Sequence, residues 1–470
     1  MADDERYAWR VLSVTSLGVL LAAANTSTLD VALPVVARHF DASASEASWT
    51  LLAYMLVNTV LILAFGRLAD IIGRRRLYLI GLATLTAASL ACGFAPSIVA
   101  LAALRGVQAI GAAAIITNTT AQLTDAFPAR LLGTALGLNV AVASAAQVIG
   151  PVIGGAMAST WGWRAVFWFN VPTGLAGLVW ARVSLRRPLR RPSDERFDVL
   201  SAVLSLGMLG GVVIALSEGG ALGWTSTPVL VGAALFVVTT PIFVVLQMRR
   251  AHPLVDLSLF ADRQRSAAYL ANFLLALARF AVVLLAALYL QAARGLDPFQ
   301  AGIRVIPVAV GMMIASPLVG RLVQRFTARI LSTGGLVLTG LGLLGLALRL
   351  HPATGDAELA LWLGLIGVGS GIFMTPNTSS IMSSVEPGRR GIANGIRSMT
   401  QNSGYVVSVA LSLGIVTSAL PPEQKREAYA GTLSRLGPES LDHLTHGYHL
   451  ALLVLAAITV LGAAASLARK

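Results

Sequence analysis

The chain keeps one carboxylate where a carboxylate is expensive. Of its 22 Asp and Glu residues, Asp30 is the one inside an apolar span; the others fall in polar segments or near the ends of apolar ones. Glu218, at the end of a later apolar span, is the next best placed. Opposite in sign, Arg105, Arg279, Arg304 and Arg397 lie within or half within apolar stretches. Charges of both signs in such stretches pair with one another or line a wet pathway, because hydrocarbon does not solvate them. A carboxylate that alternates between a dry and a wet environment binds a proton in one and releases it in the other. The chemistry expected of Asp30, with Glu218 next after it, is therefore binding and release of a proton. The other reading of Asp30 puts it in an outer vestibule, and the arginines could instead meet an anionic solute.

The elements that must hold these groups follow from composition. Hydrophobic residues make up 56% of the 470-residue chain and charged residues 12%, about half the charge of an ordinary soluble domain. A spanning helix needs about 20 mostly apolar residues, which divides the chain into fourteen spans. They are Trp9–Ala37, Glu46–Ala69, Arg76–Phe94, Ile98–Leu123, Leu131–Ser159, Arg164–Leu185 and Asp198–Ser217, then Pro228–Gln247, Ser266–Gln291, Gln300–Gly320, Ala328–Arg349, Glu358–Ser380, Gly391–Leu420 and Gly447–Ala468. The result is an all-α membrane protein. The net charge of +13 is spread over loops and not gathered on one face, so nucleic acid is not an expected partner. Arginines concentrate in alternate loops, above all Arg67/Arg74/Arg75/Arg76, the run Arg182 to Arg196, and Arg249/Arg250/Arg263/Arg265. The positive-inside rule puts those loops and both termini in the cytoplasm. No small-residue cleavage site follows the first apolar stretch, so it is read as a retained helix. Cys92 is the single cysteine, which excludes disulfide frameworks and cysteine metal sites. The preference for Arg over Lys, with much Ala and Gly, suggests a GC-rich bacterial genome and hence a bacterial cytoplasmic membrane.

Short patterns return along the chain in order. Gly66-Arg67-Leu68 recurs as Gly320-Arg321-Leu322, Gly111 and Thr117 as Gly369 and Thr375, and Gly133, Ala135 and Gly137 as Gly391, Ala393 and Gly395. Such a repeat makes spans 1 to 6 correspond to spans 9 to 14 and leaves spans 7 and 8 outside. The expected domains are a six-helix bundle at 1–190, two linker helices at 191–250 and a second six-helix bundle at 251–470.

Five segments carry a resemblance. Gly66-Arg67-Leu68-Ala69-Asp70-Ile71-Ile72-Gly73-Arg74-Arg75-Arg76 resembles the signature of the major facilitator superfamily, Gly-x-Leu-Ala-Asp-x-x-Gly-Arg-[Arg/Lys]. Gly66 and Gly73 permit a tight turn, and Asp70 is placed to meet arginines or a helix N-terminus. The resemblance implies a conformational latch made by Gly66, Arg67, Asp70, Gly73 and Arg74. Arg105-Gly106-Val107-Gln108-Ala109-Ile110-Gly111-Ala112 is similar to the family's Arg-x-x-Gln-Gly-x-Gly-Ala, with Ala109 in place of a Gly. In drug exporters that arginine is implicated in proton coupling; its other reading is an interhelical salt bridge or carbonyl clamp. Ala146 to Gly155 resembles the antiporter motif Gly-x-x-x-Gly-Pro-x-x-Gly-Gly through Gly150, Pro151, Gly154 and Gly155, which implies export. Trp161 to Pro172 and Pro253-Leu254-Val255-Asp256 extend the likeness to the 14-helix drug:proton antiporter branch. Helix 1 departs from it: anchoring on Val31-Ala32-Leu33-Pro34 puts Asn25 where the branch has Asp, and Asp30 where it has Asn.

The implied fold is the major facilitator fold, two pseudo-symmetric six-helix halves plus two linker helices working by alternating access. The implied function is proton-coupled export of small hydrophobic or amphiphilic drugs or antibiotics by a monomer, with the proton gradient as energy source and no cofactor. Asn25, Trp49, Tyr54, Asn58, Gln108, Arg279 and Arg397 are the expected cavity residues, although Trp49 would also suit an interfacial anchor. Rival readings are proton symport for uptake of a small metabolite, and a substrate-sensing receptor on a transporter fold. An enzyme would need paired acids, a metal site or an activated nucleophile within the spans, and none is found. No metal is expected, since His443, His446 and His449 have helical spacing but lack enough further ligands. No phosphate-binding Gly-Lys-Ser/Thr loop exists to use ATP.

Overall fold

The computed structural model describes residues 2–186, 198–250, 255, 257–322, 325–385, 390–421, 424–425 and 438–469. They form the helices α1 (Ala2–Phe40), α2 (Ala44–Ile72), α3 (Arg74–Cys92), α4 (Ile98–Ala126), α5 (Ala129–Thr160), α6 (Trp163–Trp168), α7 (Asn170–Ser184) and α8 (Val199–Leu222). These are followed by α9 (Thr227–Arg249), α10 (Arg263–Arg279), α11 (Ala281–Arg294), α12 (Pro298–Leu322), α13 (Ala328–Arg349), α14 (Asp356–Ser383), α15 (Arg390–Ser418) and α16 (Pro438–Leu467). No strand occurs among the described residues. Residues 187–197 and 251–254, where the expected domain boundaries fall, lie outside them.

Helix ends follow local chemistry. Ser43 and Glu46 close a capping box at the start of α2, with the Ser43 amide donating to Glu46 Oε2 at 2.9 Å, so two donors that no helical carbonyl can reach are satisfied. Gly73, at φ +94°, links α2 to α3 in a conformation that a side chain would disfavour. Two expected spans are each broken once, at Phe169 between α6 and α7 and at Phe280 between α10 and α11. Counting each broken pair as one gives the fourteen spans. The last helix differs from expectation: it starts at Pro438, not Gly447. Proline at the first helical position has no amide to leave unsatisfied, so the polar stretch carrying His443 and His446 is helical and not loop. Among the described residues, nine stretches are long and apolar enough to cross a membrane by length and composition alone.

The same pairs pack in both halves. α2 and α3 lie on α4 as α12 and α13 lie on α14; α1 lies on α5 as α10 lies on α15; α3 lies on α7 as α13 lies on α16. At one equivalent crossing the helices touch through glycine. A Cβ on Gly81 would stand 2.9 Å from the Gly111 carbonyl, and one on Gly335 would stand 2.6 Å from that of Gly369. Small residues that bring backbones together supply the dispersion contacts that replace hydrophobic burial in lipid. α8 and α9 pack on one another outside this pattern, and α8 also lies on α2 and α15, one helix from each half. α9 leaves Leu230, Val231, Val237, Val238 and Val245 exposed, as a lipid-facing helix must.

Candidate functional site

Three helices of the first half converge on Arg105, which is fully buried in α4. Its Nη1 donates to the Asn25 side-chain oxygen at 2.5 Å and to Gln108 Oε1 at 2.6 Å, and its Nε donates to the Thr50 carbonyl at 3.2 Å. The guanidinium carbon lies 4.2 Å from the centre of the Tyr54 ring, a cation–π contact with the negative ring face. Gln108 passes its amide on to Ser89 Oγ at 2.7 Å. A buried cation here is held entirely by neutral oxygens and one ring. The Asn25 amide nitrogen and the Asn58 amide oxygen are buried without a hydrogen-bond partner among the described residues.

Asp30 stands between Leu29 and Val31, both fully buried, and is itself half-buried. Among the described residues it makes no hydrogen bond or ion pair, although the charge of Arg105 acts on it. Glu218 is different. Its Oε1 accepts from Ser45 Oγ at 2.5 Å and from the Trp49 indole nitrogen at 2.9 Å. Trp49 thus ties linker helix α8 to α2, a role that neither sequence reading anticipated. Arg304 also leaves the expected pathway. It pairs with Asp356 at 2.8 Å, and Arg294 holds the same carboxylate at 3.1 Å, so three charges satisfy one another at a bundle end.

In the second half, Arg279 and Arg397 meet through two side chains of α15. Arg279 Nη2 donates to the Tyr405 hydroxyl at 3.2 Å, Gln401 Nε2 donates to the same oxygen at 2.6 Å, and Arg397 Nη1 donates to Gln401 Oε1 at 2.9 Å. Asn394, Arg397, Gln401 and Tyr405 fall at helical spacing in the sequence. That polar stripe was a readable signal for Gln401 and Tyr405.

The antiporter-like motif sits at crowded crossings. A Cβ on Gly150 would overlap Ser27 Oγ, one on Gly154 the Thr28 carbonyl, and one on Gly155 the Pro298 carbonyl of the other half. Across the same seam a Cβ on Gly302 would lie 2.5 Å from the Pro151 carbonyl, and Gln291 Nε2 donates to the Val31 carbonyl at 3.0 Å. The halves therefore close on one another beside Asp30.

At the opposite end, Arg74 pairs with Asp125 at 2.5 Å and Arg75 donates to the Arg182 carbonyl at 2.9 Å. The turn after Gly66 is thus moored to α4 and α7 of its own half, with Asp125 a partner that the motif did not announce. The side chains of Arg67 and Asp70 lie outside the described residues.

Comparison with known proteins adds independent findings. A family model described as Major Facilitator Superfamily matches residues 15–260 and 268–469. The multidrug resistance protein Stp of Mycobacterium tuberculosis is 35% identical over 409 residues, covering 87% of this chain and 75% of that protein. The riboflavin transporter RibZ of Clostridioides difficile is 28% identical over 424 residues, covering 90% and 91%. A crystal structure of a bacterial homologue of the human lysosomal transporter Spinster, inward-facing and occupied, superposes with a TM-score of 0.71 at 16% identity, covering 98% of this chain and 96% of that one.

Proposed function

The chain belongs to the Major Facilitator Superfamily, and from that premise we propose that it is a proton-coupled antiporter exporting small hydrophobic or amphiphilic drugs. The closed seam beside Asp30 carries this reading. Gly154 and Gly155 let α5 touch α1 and the start of α12 at once, so the halves meet at the end that the charge bias makes external, as an exporter collecting its cargo from the cytoplasm requires. Opening that seam would expose Asp30 to the outer medium and let it load a proton; closing it would carry the proton inward. Arg105, held by Asn25, is a fixed positive charge in the same half as Asp30. The proton gradient is the energy source, with no cofactor. The protein acts as a monomer in a bacterial cytoplasmic membrane, with both termini in the cytoplasm.

The similarity to a multidrug resistance protein supports export of drugs. The similarity to a riboflavin transporter favours a second reading, proton symport of a metabolite into the cell. Reconstitution into liposomes with an imposed pH gradient separates them. Antiport moves substrate against the direction of proton flow and symport moves it with that flow. Substrate flux along the proton flow, or flux indifferent to the gradient, would end the antiporter reading.

A further inference from the structure

Among the described residues, two arginines of the second half have no acid partner. Arg279 is buried in α10, one residue before the break at Phe280, and its described partners are the Met312 sulfur at 3.8 Å and the Tyr405 hydroxyl at 3.2 Å. Arg397 is held by Asn394 Oδ1 at 3.0 Å, Gln401 Oε1 at 2.9 Å and Ser398 Oγ at 3.3 Å. All of these partners are neutral, and among the described residues no carboxylate pairs with either guanidinium. Both belong to the same network through Gln401 and Tyr405. Removing two like charges from water without a counter-ion is costly, and an anion placed against Arg279, with Arg397 acting on it through Gln401, offsets that cost through charge-assisted hydrogen bonds.

The remaining groups suit the same guest. The Tyr405 hydroxyl already accepts from Arg279 and from Gln401, so its own proton points elsewhere, and no acceptor for it occurs among the described residues. Asn272, Arg279, Met374, Gln401 and Tyr405 line a cavity of about 10 Å³, room for one oxygen-sized group and not for the body of a drug. Beside it the Phe280 and Tyr405 rings stack with centroids 4.1 Å apart and planes 22° apart, a flat face for an aromatic body. The helix break helps to present it: the Ala281 amide donates to Ser408 Oγ at 3.0 Å, which fixes the chain where Arg279 and Phe280 leave α10.

We propose that this cluster is an anion-docking point, so that the preferred substrates are aromatic amphiphiles bearing a carboxylate or sulfonate. The proposal rests on the exporter reading and names its substrate class. Equilibrium binding of radiolabelled naphthoate, naphthylmethanol and naphthylmethylamine to the purified full-length protein in detergent, without any gradient, tests it. Naphthoate is expected to bind at least about tenfold more tightly than the neutral alcohol, since a desolvated charge pair discriminates strongly. Arg279→Gln and Arg397→Gln should each remove most of that preference, and Arg279→Lys should keep part of it. A single size-exclusion peak at the position of the unaltered protein shows that the variants are folded. Absence of a preference for naphthoate in the unaltered protein, or a preference that survives both Gln changes, overturns the proposal. The liposome assay stays separate: gradient-driven export of neutral or cationic aromatics with no naphthoate preference would sink the anion site and leave the exporter standing, whereas naphthoate binding without gradient-driven flux would do the reverse.

Discussion

Arg105 and Asn25 meet at 2.5 Å in the interior of the first half, a buried cation on a neutral amide oxygen. Asn25 has no titratable proton, so the contact is a fixed clamp, and the proposed antiporter would bind and release its proton elsewhere. Five residues along α1, Asp30 is half-buried without a hydrogen bond or ion pair among the described residues.

If Arg105 is a fixed charge of the coupling site, Arg105→Gln should lower gradient-driven efflux by at least about tenfold, because a buried polar network loses its common centre. Arg164→Gln is the matched control. Arg164 is the second residue of α6 and lies 4.6 Å over the Trp163 ring, away from that network, and its loss should change efflux by less than about twofold. Both variants delete one positive charge, so equal effects in the liposome assay would return Arg105 to a structural role.

The antiporter-like motif makes a steric prediction. Gly155→Ala places a methyl group against the Pro298 carbonyl across the seam, which disfavours the closed outer end. Efflux should fall by about tenfold or more, and cysteines placed at the outer ends of α5 and α12 should label faster, as a shifted population requires. Gly334→Ala, where a Cβ meets nothing within 4 Å, should leave both readouts alone.

Asp70→Asn should slow turnover with insertion intact, since orientation in the membrane depends on the arginines of that turn and hardly on the acid. In the latch that the resemblance implies, loss of a charge–dipole contact would shift a conformational balance by about 1 kcal/mol, a rate change of about fivefold. Asp125→Asn, which frees the exposed pair with Arg74, should have a smaller effect because exposed pairs contribute little. A larger loss from Asp125→Asn than from Asp70→Asn would move the latch to α4.

Much of the architecture was legible because membrane helices are written as long apolar runs, and the repeat was legible because Gly111 and Gly369 keep their places. The physical reason for that pair appeared only in the structure, where each meets a second glycine, Gly81 or Gly335. That second pair follows the same offset as Gly66 and Gly320 and could have been found. The break at Phe280 could not, since no proline or glycine marks it, whereas Pro172 in the first turn of α7 marks the one at Phe169. At Phe280 the interruption depends on Ser408, a residue 127 positions later that takes the Ala281 amide. Glu218 was singled out as an acid near a span end, but its partners Ser45 and Trp49 lie about 170 residues away. A contact at that range leaves no periodicity in the sequence. Sequence alone also left Arg304 among the pathway arginines, because its counter-ion Asp356 belongs to a different helix.

The last prediction separates the two carboxylates first singled out. Glu218 accepts two hydrogen bonds, from Ser45 Oγ and from the Trp49 indole, and a glutamine there offers an amide oxygen to the same donors. Glu218→Gln should therefore keep α8 on α2 and leave gradient-driven efflux within about twofold of the unaltered protein, as expected when a buried acceptor keeps its partners. Asp30→Asn removes a group that can carry a proton and replaces it with one that cannot. It should abolish pH-gradient-driven efflux while substrate binding in detergent persists, because binding needs no proton transfer. Asn25→Asp in the Asp30→Asn background should restore part of the coupling, since it places a carboxylate directly on Arg105 in the pattern of the resembling exporters. Undiminished efflux by Asp30→Asn would sink the assignment. Loss of efflux in Glu218→Gln with Asp30→Asn unaffected would transfer the proton site to α8.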